Sequence, residues 1–290
     1  MILTIDLGTT TLKAALFSEE GVLSSISNAA LDKTSHTYEI DTILWSHALT
    51  RVCSSLGDLN FVRAVVISGN GPTLVPVLGE PASKNGLLYA RTGMARNWLD
   101  RRPVAESAEI SDMLGTFVDS GFFLPKALYL FRNEKETYEK SLWLLSSHEY
   151  LDYLLTGVGK AVIHSAEAEQ WYWTEDLLTR LGLDNEKFPP FCNPGDLIGP
   201  VTDLASSVLG IPAGTPVYAG APDFYVSILG TGTVEIGQVC NRSGTSEGIN
   251  LCTRKPLGDA RLMTYRHPIA PYYNVSGIIS TSGKAIEWAK

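Results

Sequence analysis

The sequence predicts an α/β protein built from two related halves, the second far shorter than the first. Three observations carry this. The chain opens on a strand–turn–strand over residues 2–17, whose bend holds Asp6, Gly8, Thr9, Thr10 and Thr11. A second strand–turn–strand of the same chemistry recurs far downstream around Arg242-Ser243-Gly244-Thr245-Ser246. Between them a β-branched run over residues 62–68 ends in Gly69-Asn70-Gly71-Pro72. A buried strand ending in such a turn is where α/β proteins place ligands.

The elements follow in order. Residues 2–17 form the first hairpin and residues 21–27 a third strand. Residues 41–56 carry apolar side chains at helical spacing, so they read as an amphipathic helix. The run at 62–68 is a buried strand, and 73–78 returns as another. The first eighty residues thus read β-β-β-α-β-β, not the strict alternation of a plain Rossmann unit. Leu87-Leu88-Tyr89 reads as a strand end, followed by the charges Arg91, Arg96, Asp100, Arg101 and Arg102. Residues 104–160 read as mostly helical. A helix over 142–155 is stopped by Thr156-Gly157. The aromatics at 171–173 read as core or cleft wall. Residues 189–200 form a proline- and glycine-rich loop, and 204–209 a short helix closed by Gly210. The strand 215–219 runs through Gly220-Ala221-Pro222 into Asp223, which opens a helix over 224–229. Four strands follow, at 234–242, 247–253, 261–266 and 272–280. An amphipathic helix begins at Ser282.

Composition narrows the function. Of 290 residues, 44% are hydrophobic and 19% charged, an ordinary soluble balance large enough for two domains. The net charge of -8 argues against nucleic acid or an acidic membrane as the main partner. Cys53, Cys192, Cys240 and Cys252 lack metal-knuckle spacing and read as reduced and mostly buried. No leader with an apolar core and no membrane-length apolar run is present, so the expected location is cytoplasmic.

The opening turn has phosphate-holding chemistry. Gly8 permits a tight bend that aligns backbone N–H groups, and three hydroxyls and Lys13 add donors. Asp6 beside it can hold Mg²⁺ directly or through water, because Mg²⁺ prefers oxygen ligands and keeps several waters. This is not a Walker loop. On its own the stretch equally suits an ordinary hairpin with a polar turn. Asp223 likewise suits a plain helix N-cap.

Four stretches together resolve that balance: Asp6-Leu-Gly-Thr-Thr-Thr-Leu-Lys13; Leu124-Pro-Lys-Ala-Leu128 with Leu154-Leu-Thr-Gly157; Pro212 through Asp223; and Ser243-Gly-Thr-Ser246. In order and spacing the chain resembles the front part of an FGGY-type carbohydrate kinase. The resemblance implies an actin-like ATPase (ribonuclease H-like) domain of β-β-β-α-β-α order, with a second such domain truncated. It implies a sugar-binding N-terminal domain over 1–236, and over 237–290 the first strands and a helix start of an ATP-binding C-terminal domain. ATP and Mg²⁺ are the implied cofactors, and a sugar, polyol or sugar acid the implied substrate. Asp223 matches the base that takes the acceptor's proton, and Asp6 the Mg²⁺-linked aspartate. Gly8, Thr9, Thr10, Thr11 and Lys13 match one phosphate loop, and Gly244, Thr245 and Ser246 the other. Asn70, Tyr89, Arg91, Asp100 and Phe224 are the candidate acceptor contacts.

The departures are specific. Pro222 and Phe224 flank Asp223 where the family has glycine and a small or amide residue. The acceptor motif Trp-x-Asp-x-Arg falls by spacing on Tyr89-Ala90-Arg91-Thr92-Gly93. By letter it falls nine residues later, on Trp98-Leu99-Asp100-Arg101-Arg102. Both placements stay open. Gly71-Pro72 stands where xylulokinases usually carry Met-His, which speaks against xylulose. An arginine in the pocket suits an aldonate. Three readings follow: an ATP-dependent kinase, a non-catalytic binding module, and, more remotely, an actin-like assembly protein. A second chain that completes the C-terminal domain would reconcile the first two, and a homodimer is the other partner left open.

Overall fold

The structure, a computed structural model, describes residues 1–31, 38–164, 172–243, 247–259, 261–279 and 281–289. The expected second phosphate turn, Gly244, Thr245 and Ser246, and the aromatic Trp171 lie outside the described residues. The chain divides into two compact units: residues 1–163 with 169–223, and residues 164–168 with 224–290.

The first unit is organised on a six-stranded sheet. Its spatial order is Leu197–Pro200, Pro216–Pro222, Ala64–Gly69, Ile2–Leu7, Thr11–Phe17, Leu23–Ala30. Ile2–Leu7 alternates half-buried and buried residues, with Leu3, Ile5 and Leu7 facing the core. It pairs antiparallel with Thr11–Phe17 and parallel with Ala64–Gly69. Pro216–Pro222 joins the far side of Ala64–Gly69, also parallel. Three strands therefore end on the same edge.

The expected β-β-β-α-β order holds for this sheet. The helix Ile43–Ser55 packs Trp45, Leu49 and Val52 into the core beneath the first strands. Ser147–Thr156 packs on the sheet through Leu151, Leu154 and Leu155. Asp203–Leu209 ends on Gly210, whose φ of 76° is the left-handed cap that glycine supplies without strain. A second core beside the sheet gathers Phe123–Asn133 with Ile110, Leu144, Trp173 and Phe188.

Three expectations need correction. The strand expected at 73–78 is Val75–Val77, and it pairs with Trp143–Leu145 outside the main sheet. The helix expected over 142–155 is that strand followed by Ser147–Thr156. The break is a capping box: Ser146 accepts from the Glu149 backbone N–H, and the Glu149 carboxylate accepts from Ser146 N–H at 2.6 Å. The loop expected over 189–200 contains the strands Phe191–Cys192 and Leu197–Pro200.

The second unit carries a four-stranded antiparallel sheet in the order Val239–Ser243, Glu247–Thr253, Tyr273–Ile279, Met263–Arg266. Its buried face is polar at the centre. Asn274 Nδ2 donates to Asn250 Oδ1 at 3.1 Å, and Asn250 Nδ2 to Gly248 O at 3.3 Å. The helix Gly283–Ala289 follows. All four cysteines are free and buried. Among the described residues no helix is long and apolar enough to cross a membrane.

Candidate active site

The shared strand edge of the first unit builds the site. The parallel register sets Asp6 opposite Ser68 and Leu7 opposite Gly69, while Pro222 stands opposite Gly69 from the other side. Asp6, the Gly69–Thr73 stretch and Asp223 are thus delivered by backbone pairing to the carboxyl ends of three parallel strands. Pro216–Pro222 reaches that level through a bulge: Ala219 faces Ile67, yet Pro222 faces Gly69, so one extra residue is accommodated. Gly220 makes the bulge possible. A Cβ there would stand 1.9 Å from the Ile67 carbonyl oxygen. Asp223 then opens the helix Asp223–Gly230, so its carboxylate sits at a helix N-terminus.

Asp6 is half exposed. Ser68 Oγ donates to Asp6 Oδ1 at 3.2 Å, and Lys13 Nζ lies 3.9 Å from Oδ2. At 59% exposure for Lys13 and 40% for Asp6, the pair adds little stability. Both groups remain available to a ligand. Gly8 N–H donates to Thr11 O at 3.0 Å and closes the turn. A Cβ at Gly8 would lie 2.9 Å from that same oxygen, which is why glycine stands there.

Asn70 is buried. Its side-chain amide donates to the carbonyls of Leu7 at 3.0 Å and Gly8 at 3.2 Å. The turn is therefore held from behind by a residue expected to touch the acceptor. Trp98 Nε1 donates to Thr9 Oγ1 at 3.0 Å, which sets the Trp98–Arg102 stretch beside the turn. Asp100 is fully buried and gripped by a two-pronged contact, Arg102 Nε to Oδ1 at 2.9 Å and Nη2 to Oδ2 at 2.7 Å. Burial pushes the Asp100 carboxyl up, but the Arg102 bonds and the charges of Arg102 and Lys126 outweigh it and hold it below the usual range. Arg102 also meets Glu39 at 2.8 Å and lies over the Tyr38 ring.

Tyr89 and Arg91 are placed elsewhere. Tyr89 ends a small hairpin, Ala82–Lys84 with Leu87–Tyr89. Arg91 is exposed and donates to Leu78 O at 3.2 Å. Phe224 belongs to the second unit, where its ring meets His164 at 5.5 Å and Tyr265 at 5.8 Å edge-on. Burial pushes the His164 imidazole down to about 4.

Sequence reasoning missed Ser68, which was read only as the end of a strand, and Lys126, read only as one letter of a motif. In the second unit it missed Glu247, whose carboxylate accepts from Asn241 Nδ2 at 2.7 Å and Ser282 Oγ at 2.6 Å. The register of Asp6 with Ser68, 62 residues apart, has no local signal.

Magnesium fits this edge in one mode. Among the described residues no cluster of three or more metal-ligating side chains exists. Asp6 offers one accessible carboxylate, which suits an ion held by one or two carboxylates, waters and substrate phosphates.

The model of the FGGY family of carbohydrate kinases, N-terminal domain, matches residues 1–230. Xylulose kinase of Staphylococcus xylosus is 24% identical over the whole chain, which covers 63% of that protein. Autoinducer-2 kinase of Escherichia coli is 21% identical, and 58% of it is covered. Among solved structures, a Brucella ovis xyloylose kinase aligns over 99% of this chain and 62% of its own, with a TM-score of 0.80 at 23% identity. Gluconate kinase of Lactobacillus acidophilus aligns over 99% of this chain and 61% of its own, with a TM-score of 0.79 at 22% identity. Plasmodium falciparum glycerol kinase with ADP gives 0.76 at 18%, over 99% and 62%. The chain spans about three fifths of the length of these relatives. The fold is the one expected from the resemblance, and with 230 of its residues matched the chain belongs to the FGGY family of carbohydrate kinases.

Proposed function

We propose that this chain carries the acceptor side and one phosphate-binding turn of an ATP-dependent kinase acting on a hydroxyl of a sugar, polyol or sugar acid. The observation that carries the reading is the delivery of Asp6 and Asp223 to one strand edge, with the Gly8 turn held between Asn70 and Trp98.

Asp223 is the general base. Its carboxylate takes the acceptor's hydroxyl proton as that oxygen bonds to the γ-phosphorus. The bond between the γ-phosphorus and the bridging oxygen breaks, giving a phosphate ester and ADP. Such transfer depends on positioning and charge neutralisation, with one base oriented at the acceptor. The Gly8, Thr9, Thr10 and Thr11 turn and Lys13 hold phosphate oxygens, and Gly244, Thr245 and Ser246 are assigned the same task. Asp6 would hold Mg²⁺, which when bound neutralises charge on the phosphates. The Trp98–Arg102 stretch faces the acceptor: its Trp98 touches the phosphate turn, whereas Arg91 is spent on Leu78. Asn70 acts from behind the turn. The domain boundary at 236 and the cytoplasmic location belong to this same reading.

A second reading, a binding module without turnover, draws on Pro222 and Phe224 at the flanks of Asp223. MgATP titration by calorimetry, followed by ADP release with D-xylulose, glycerol and D-gluconate, separates the two. ADP release that requires one acceptor supports the kinase. MgATP binding with no release for any acceptor supports the module.

A further inference from the structure

The Gly69–Thr73 stretch links the Gly8 turn, the end of the Pro216–Pro222 strand and the helices Phe123–Asn133 and Ser147–Thr156. Asn70 holds the Leu7 and Gly8 carbonyls. A Cβ added to Gly71 would stand 3.6 Å from Pro222 Cβ, so this turn lies against the residue that precedes Asp223. Thr73 Oγ1 donates to Asn70 Oδ1 at 2.7 Å, and Ser147 Oγ to Asn70 O at 2.6 Å. The Pro72 carbonyl accepts from Lys126 Nζ at 2.8 Å.

Lys126 is the unexpected member. It sits on the helix Phe123–Asn133 and is fully buried. Burying an amine without strong pairing is unfavourable, and a methionine would fill the same space without that penalty. Burial pushes the Lys126 amine well below its ordinary range; the Asp100 charge opposes this, while Arg101 and Arg96 reinforce it. The Asp100 carboxylate oxygens are already held by Arg102. Among the described residues the hydrogen bond that Lys126 makes is to the turn.

We propose that Lys126 is a positioning residue: by holding the Pro72 carbonyl it fixes the Gly69–Thr73 turn, and through Gly71 and Pro222 it sets Asp223 relative to the Trp98–Arg102 stretch. The chemistry served rests on the kinase reading; the mechanical coupling does not. Asp100 links the same amine to the acceptor motif by charge. One side chain therefore ties the strand that delivers the base to the acceptor motif.

Hydrogen exchange read by mass spectrometry on the whole 290-residue chain tests the coupling. Lys126→Met is expected to speed exchange at least tenfold in peptides covering both Gly69–Leu74 and Ala219–Asp223. Lys126→Arg, which keeps a donor, is expected to restore slow exchange in both. Leu130→Ala loosens the same helix without touching the turn and is expected to spare both. Acceleration confined to Phe123–Asn133 in Lys126→Met, or the same paired pattern in Leu130→Ala, overturns the proposal. If Lys126→Met is not recovered folded, Thr73→Val releases the turn from its other end and must give the paired acceleration; its absence overturns the proposal equally. In ADP-release assays Lys126→Met should raise the acceptor KM and lower kcat about tenfold each, and Lys126→Arg should restore both. Failure of Lys126→Arg to restore them counts against positioning. If the unaltered chain releases no ADP, the exchange result alone decides the coupling.

Discussion

Ser68 Oγ donates to Asp6 Oδ1 at 3.2 Å, across the parallel register that sets the two residues side by side. The bond aims one carboxylate oxygen and leaves the other toward Lys13. Asp6→Asn is expected to weaken MgATP binding at least tenfold, since a neutral amide loses its hold on a divalent cation. Ser68→Ala should weaken it about threefold by freeing the carboxylate's rotation, in line with one hydrogen bond to a charged group. Calorimetric titration of both variants checks the order.

Asp223→Asn should lower acceptor phosphorylation by at least ~1,000-fold while MgATP affinity stays within threefold, because the base acts only on the acceptor's proton. Single-turnover ADP release and nucleotide titration on the same preparation read the two effects. Retained turnover would remove Asp223 from the role.

Glu149 and Asp152 are both buried on the helix Ser147–Thr156. Burial pushes the Glu149 carboxyl up to about 7, against backbone bonds from Ser146 and Val162. Burial, with the Glu149 charge, raises Asp152 well above the ordinary range, and among the described residues neither of its oxygens has a hydrogen-bond partner. The nearby Cys192 thiol is pushed up to about 12, first by burial and then by these carboxylates. A raised carboxyl favours folding fully below its unfolded value near 4, and that favour is lost as pH rises through the folded value. Stability is therefore expected to fall from about pH 4 to pH 7 and beyond. Asp152→Asn should add about 1–2 kcal/mol at pH 8 and change little at pH 4.5, read by urea melts at both.

Gly220→Ala should destabilise the first unit by about 3 kcal/mol or more, because its Cβ would meet backbone rather than a movable side chain. Gly230→Ala, with nothing within 4 Å of the added methyl, should stay within about 0.5 kcal/mol. Thermal melts of both variants decide.

The second unit should exchange faster than the first. Ile278, Ile279, Ile286 and Trp288 are exposed, with Trp288 at 89%. Exposed apolar surface contributes nothing to burial energy. Uniform protection from Ile2 through Ile279 would refute this.

What was legible in the sequence is what local pattern encodes. The Gly8 and Gly210 turns, the strand ending at Gly69 and the place of Asp223 all follow from residue type and periodicity. The Ser146–Glu149 capping box was equally local, but the apolar residues on both sides of it, Leu142 to Leu145 and Tyr150 to Leu155 around Asp152, hid it. The contacts that make the site were not legible. Trp98 and Thr9 lie 89 residues apart, and Asp6 and Ser68 lie 62 apart. The hairpin from Ala82 to Tyr89 lies between Gly69 and the Trp98–Arg102 stretch, and the spacing counted from Gly69 alone pointed at Tyr89. Leu197–Pro200 exists as a strand only because Pro216–Pro222 is there to pair with it.

The Ala219–Pro222 bulge makes the site a matter of counting. Successive strand residues alternate between faces, so one inserted residue changes which side chain arrives at a given level. With the insertion, Pro222 is level with Gly69 and Asp223 is the next to emerge. If the same residues paired without the bulge, Ala221 would take the level of Gly69, and every chemical group of the site would be retained while Asp223 emerged one residue further along. The reading frame of this one strand thus matters as much as the identity of the aspartate it delivers.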